Sequence, residues 1–339
     1  MKKHLFFILG IALTVIFFAV SCTEPDPDPN IPDNPNAVVH VYAAGGPIQH
    51  SGPAVLWTNG GIIQILDRNA YAAKAVCVDG SDIYVGGTNA NNRPVVWKNG
   101  IPQVLSDEIG NVYDLKAVDG KIYAAGSSGQ NAAYWVDGVM TKLPSNPNMG
   151  GFYEARAIWV EGTDIHVCGT TRNENRAAYW KNGTFKKLAD FDATAEDICF
   201  YNGNLYIVGE FTYRKDGIWK SESLIWINGA AIHFINVGTG LSSRATGIAI
   251  VNDEPYVTIE SWFDGAGTGR NHGFLWKNGE LSSIDGCNPK DIFVHNGDIY
   301  IAGSFNNGSE NKPVVLKNGK KFLIAPVDQS ECCNAIFVK

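Results

Sequence analysis

Two stretches of the chain carry residues that could bind a ligand. Residues 212–221 include Tyr213, Arg214 and Trp219, and residues 261–272 include Trp262, Phe263, Arg270 and His272. Aromatic rings beside cationic side chains suit sugars and peptides, because a ring offers a large contact area with little rotamer entropy to lose. The same rings could instead pack down and anchor their own loops. Both readings stand at this level.

A second set is basic. Lys74, Lys116, Arg156 and Lys290 each open an apolar run, and Glu196, Thr246 and Asn334 hold the corresponding place elsewhere. Set around one axis, these residues would ring the mouth of a channel. A solvated ring of charge is the plainer reading of them. The cysteines form a third set. Cys77 and Cys199 lie inside apolar runs and read as buried hydrophobic residues. Cys287, Cys332 and Cys333 stand just before such runs and are candidates for a disulfide.

Catalytic patterns are missing from the sequence. It has no Gly-x-Ser-x-Gly elbow, no His-Glu-x-x-His and no EF-hand loop. No Cys-x-x-Cys or His cluster supports a metal, and no cofactor is expected. Acidic residues are scattered through turns. An enzyme is less expected than a binding module.

The elements that must position these residues come from a repeat. The stretch Ala75 to Leu105 reads AVCVDGSDIYVGGTNANNRPVVWKNGIPQVL, four short apolar strands separated by turn residues. Its second strand recurs as Val41-Tyr42-Ala43-Ala44-Gly45, Ile122-Tyr123-Ala124-Ala125-Gly126, Ile165-His166-Val167-Cys168-Gly169 and three further copies. Its third strand recurs at Trp57, Trp97, Trp135, Trp180, Trp226 and Trp276, each shortly before Asn-Gly or Asp-Gly, with Leu316 in the seventh copy. A strand repeat of about 40–45 residues is a propeller signature. The fold class is therefore all-β, a seven-bladed β-propeller of four-stranded antiparallel blades. The repeated Trp reads as a staple between blades.

First strands such as Ile158-Trp159-Val160 and Ile292-Phe293-Val294 are apolar at every position, so they are covered on both faces and lie inside. Fourth strands such as Phe185-Lys186-Lys187-Leu188 suit an exposed edge. The first unit lacks a first strand, and the chain finishes on Asn334-Ala335-Ile336-Phe337-Val338-Lys339, which matches one. The C-terminal strand should close the ring. Blades seven and one then become neighbours, and Cys287 should bond to Cys332 or Cys333.

Residues 1–21 form a basic start, Lys2 and Lys3, followed by an apolar run too short for a membrane span. Ala19-Val20-Ser21-Cys22 resembles the lipobox of bacterial lipoproteins, with Ala19 where that family usually carries Leu. The resemblance implies a signal peptide over 1–21, lipidation of Cys22 and, from Thr23, delivery to the outer membrane. Residues 22–37, rich in Pro and Asp, read as an extended tether. Residues 38–339 form the propeller. The run Asn271-His272-Gly273-Phe274-Leu275-Trp276-Lys277-Asn278-Gly279 is similar to the HAF-type extracellular repeat of bacteria, and Ile-Tyr-Val-Gly-Gly loosely resembles kelch repeats. Both imply a propeller and neither implies an activity.

With 27 basic and 34 acidic residues the chain is acidic, which argues against nucleic acid as a partner. The expectation is a monomeric binding or scaffold lipoprotein that touches the membrane only through its lipid. It would recognise a glycan, a peptide or an envelope protein on its loop-rich face. The alternative is a glycan lyase or hydrolase using carboxylates on that face.

Overall fold

The computed structural model describes residues 39–47, 52–59, 61–144, 153–171, 176–263, 272–284, 286–306, 311–324 and 331–339. These form seven four-stranded antiparallel sheets and no helix. Blade two shows the pattern, with Ala72–Asp79 innermost, then Asp82–Thr88, Pro94–Lys98 and the exposed Ile101–Val104. The inner strands of blades three to seven are Gly110–Val118, Tyr153–Glu161, Ala193–Tyr201, Leu241–Val251 and Cys287–His295. Blade one takes its inner strand, Glu331–Val338, from the far end of the chain and pairs it with Val41–Pro47. His40 and Lys339 exchange both backbone hydrogen bonds, at 2.8 and 2.9 Å. The ring closes as the repeat requires.

The repeated residues each have a physical task. The tryptophans at 57, 97, 135, 180, 226 and 276 are buried between blades. Trp135 and Trp180 also donate to the carbonyls of Leu105 and Pro144 in the preceding linker. The residue before the turn glycine sits at positive φ, 48° at Asn99 and 49° at Asp137, as two-residue hairpins demand. Its side chain reaches back to the second strand. Asn99 accepts the Ile83 amide at 2.9 Å, and Asn182 accepts that of Ile165 at 2.8 Å.

The glycine ending the second strand answers to a different constraint. Every inner strand carries a β-bulge near its start, which leaves one residue out of register with the second strand. The bulge pushes a backbone carbonyl toward the neighbour. A Cβ on Gly169 would lie 1.9 Å from the Glu154 oxygen, and one on Gly209 1.9 Å from that of Thr194. Only glycine fits at these two positions, whereas in blade six Ile259 holds the corresponding place beside the bulge.

Candidate functional site at the channel mouth and the raised hairpins

The bulged residues are Lys74, Tyr113, Arg156, Glu196, Thr246, Lys290 and Asn334, one from each blade. All seven line a central cavity of about 440 Å³. They sit at the end of the propeller where second strands meet third strands and where each blade hands on to the next. Three of the four expected mouth residues belong to this ring. Lys116 does not. In blade three the bulge falls between Val112 and Asp114, so Tyr113 holds the ring position. Lys116 lies three residues deeper, with its amine 3.9 Å from Asp114 and 6.0 Å from the centre of the Trp159 ring. The spacing between repeats had placed it wrongly because the entry to blade three is short.

Behind the ring stand carboxylates that the sequence did not single out. Glu154 accepts the Tyr113 hydroxyl at 2.7 Å and pairs with Arg156 at 2.8 Å, and the Arg156 guanidinium lies 4.5 Å over the Tyr113 ring. Glu260 is held by both Arg244 and Lys290. Burial alone would raise the Glu260 carboxyl, but Lys290 and Arg244 pull it down to about 2. Arg244 also lies 3.9 Å from Glu196. Burial raises Glu210, and Arg244 only partly offsets it. Lys74 differs from the other cations. Among the described residues it makes no hydrogen bond or ion pair, and burial lowers its pKa, as do Arg156 and Lys290 nearby.

One residue past the bulge, three blades carry aspartate. Asp114, Asp197 and Asp291 each accept the following amide and the amide of an isoleucine in the next blade. Those second partners are Ile158, Ile248 and Ile336, at 2.9, 2.8 and 2.9 Å. Burial pushes Asp197 up to about 6 and Asp291 up to about 7. The signal for these staples was the recurring Asp followed by Leu or Ile in alternate repeats.

The two loops singled out on the same face differ from the expectation. Residues 212–221 are not a loop but the end of a long hairpin, Asn204–Lys215 with Ile218–Ile227, closed by Asp216 and Gly217 at positive φ. Strand alternation then divides the named residues. Arg214 and Trp219 are cross-strand partners on the face of Thr212, Ser221 and Ser223, and Ser223 bonds to Ser243 of blade six. Tyr213 is on the opposite face, stacked on Phe211 at 5.1 Å, and its hydroxyl donates to Glu222. In blade six, Phe263 meets His272 edge-on at 6.0 Å and shares the face of Ile259, which packs against blade five. Trp262 shares the opposite face with Glu260, toward Lys290 of blade seven. Arg214, Trp219, Phe263 and His272 therefore border the junction of blades five and six, while Tyr213 and Trp262 turn away. Trp219 is 59% exposed and Phe263 47%.

The expected disulfide is not formed. Cys287, Cys332 and Cys333 are free and buried. Cys287 packs among Ile292, Ile301 and Ala249 between blades six and seven, whereas Cys333 packs against Tyr300, Ala302 and Trp57 between blades seven and one. The sheet of blade seven separates them. The Cys332 thiol instead donates to the Cys333 carbonyl at 3.3 Å. Cys22, with the rest of residues 1–38, and Arg270 lie outside the described residues.

No family model matches the chain, and no curated protein matches it. Similar solved structures include the Cps50 (Swd1) β-propeller domain of Myceliophteria thermophila, at 12% identity and TM-score 0.49, covering 86% of this chain and 91% of that one. A chain of a nidogen/laminin complex is similar at 13% identity and TM-score 0.42, over 89% and 98% of the two chains. YjhT is similar at 12% identity and TM-score 0.42, over 78% and 96%. The class of protein, a seven-bladed β-propeller, is plain from the seven sheets and their closure. Its function has to be argued from the mouth face.

Proposed function

We propose that the chain is a non-catalytic binding lipoprotein of the cell envelope, anchored through Cys22, which holds a glycan or peptide chain across the junction of blades five and six. The observation that carries this reading is Trp219, largely exposed near the tip of a hairpin whose strands, Asn204–Lys215 and Ile218–Ile227, run 12 and 10 residues. A large ring kept in water at the end of an extension is a cost to the free protein and a gain to a complex. Phe263 and His272 across the junction extend the surface, and Arg214 supplies a cation beside it.

The carboxylates of the mouth support binding over catalysis. Glu154 and Glu260 are tied to cations, and Asp114, Asp197 and Asp291 are occupied by backbone amides. Glu210, raised by burial, is the one observation that favours a glycan-cleaving alternative, because a general acid needs a raised pKa.

The test uses the mature protein against a panel of envelope polysaccharides and unstructured peptides. The double variant Trp219→Ala, Phe263→Ala should lose at least tenfold in affinity for whichever chain binds, with its melting temperature almost unchanged. Undiminished binding, or a large fall in melting temperature, would overturn the surface. Turnover of a glycan in the panel, abolished by Glu210→Gln, would establish the alternative. Radiolabelled palmitate incorporation that survives Cys22→Ala would remove the anchor.

A further inference from the structure

We propose that the channel mouth is a second binding site, independent of the blade five–six surface, which takes a small organic monoacid with its carboxylate on Lys74 and its apolar body down the channel. The bulge turns Lys74 into the cavity together with Arg156 and Lys290. Those two neighbours already have carboxylate partners, Glu154 and Glu260. Lys74 has none among the described residues, although its ammonium is placed between cations. The thiol near it, Cys332, is no substitute, because burial raises its pKa and keeps it neutral. Burial favours the neutral amine at Lys74 in the free protein, and an anion that is not part of the chain, seated on that amine, restores the ammonium.

The charge around the mouth also sets the valence of that anion. Arg156, Arg244 and Lys290 face Glu154, Glu196 and Glu260 in ion pairs, which leaves Lys74, once protonated, as the cation of the ring with no carboxylate partner among the described residues. One positive charge is left over. A single carboxylate balances it, and a phosphate dianion exceeds it.

Below the ring the wall changes character. Trp159, Phe293 and Phe337 line the cavity, with the two phenylalanine rings 5.0 Å apart. The deep charges are Asp114, Asp197 and Asp291 against Lys116, a net negative set that repels an anion from going further. The acid is thus oriented with its head at the mouth and its body against aromatic walls. A volume of about 440 Å³ suits a small molecule and excludes a polymer.

Hexanoate and phenylacetate serve as probes, with hexanamide, phenylacetamide and inorganic phosphate as contrasts, by titration calorimetry on the mature protein. Either acid should bind saturably at one site, with its amide and phosphate at least tenfold weaker. Lys74→Met should lose at least tenfold in acid affinity while melting no lower than wild type, since an unpaired buried amine has been removed. The Trp219→Ala, Phe263→Ala variant should bind the acid unchanged, so failure of either site is read separately. Absence of saturable acid binding would overturn the proposal. So would equal affinity for the amide, or for Lys74→Met. The acid–amide contrast on wild type decides the matter even if the variant does not fold.

Discussion

Asp291 accepts the backbone amide of Ile336 at 2.9 Å, and so ties the last blade to the strand that closes the ring. Its other oxygen accepts the Ile292 amide at 2.8 Å. The same clamp joins blades three and four through Asp114 and blades five and six through Asp197. Intervening blades carry Ala75, Ala157, Gly247 and Ala335 at this position. Three of the seven junctions are thus held by a carboxylate that spans two strands.

These clamps predict a pH dependence. Burial raises Asp291 to about 7 and Asp197 to about 6, so the folded protein binds these protons more tightly than the unfolded chain. The stability they contribute is complete below the unfolded carboxylate range and is lost as pH rises through 6 and 7. His166, pushed down to about 4 by burial, works in the opposite sense between about 4 and 6.5. Above pH 6.5 Lys74, lowered by burial, works in the opposite sense, so it is the comparison with Asp291→Asn that isolates the aspartate. Between pH 6.5 and 8 the melting temperature of wild type should fall relative to that of Asp291→Asn. An identical slope in the variant would refute the assignment.

Trp97 is 1% exposed and packed against blade one residues Ala44 and Leu56. Trp97→Ala should cost about 3–5 kcal/mol. Chemical denaturation measures it, and an unchanged midpoint would show that the ring is not a staple.

Removing residues 334–339 takes away the inner strand of blade one from the bulge onward. It leaves the second strand with an unpaired edge and Asp291 without Ile336. The truncated chain should aggregate or melt far below wild type. Light scattering and calorimetry check this, and a soluble product of equal stability would contradict closure.

Cys287, Cys332 and Cys333 should all be recovered as free thiols from protein purified under non-reducing conditions, and should react slowly while it is folded. Burial raises Cys77 and Cys287 to about 12 and also raises Cys332. Mass mapping after alkylation in denaturant reads the first point; a Cys287–Cys332 peptide would count against it.

The repeat was legible because its landmarks are local. A buried Trp and a turn Asn or Asp report their own surroundings, and seven copies multiply the signal. What the sequence hid depends on register. A bulge adds one unpaired residue, so a small error in counting moves a side chain off the ring, as happened at Lys116 but not at Lys74, Arg156 or Lys290. The aromatic residues of blades five and six were found, but their division into two faces depended on hairpin pairing, which alternation imposes only once the strands are aligned. The aspartate clamps showed as an alternating pattern, yet a carboxylate clamped to backbone amides resembles any turn residue until its partner strand is in place.

The exchange between His40 and Lys339 also fixes a direction. Both residues lie where inner strands end and second strands begin, at the end of the propeller opposite the bulges. Whatever fastens the chain upstream of His40 therefore pulls on the underside. With Cys22 as the lipid-bearing residue, the disc would hang mouth outward, and its channel and raised hairpins would meet arriving molecules before the bilayer does.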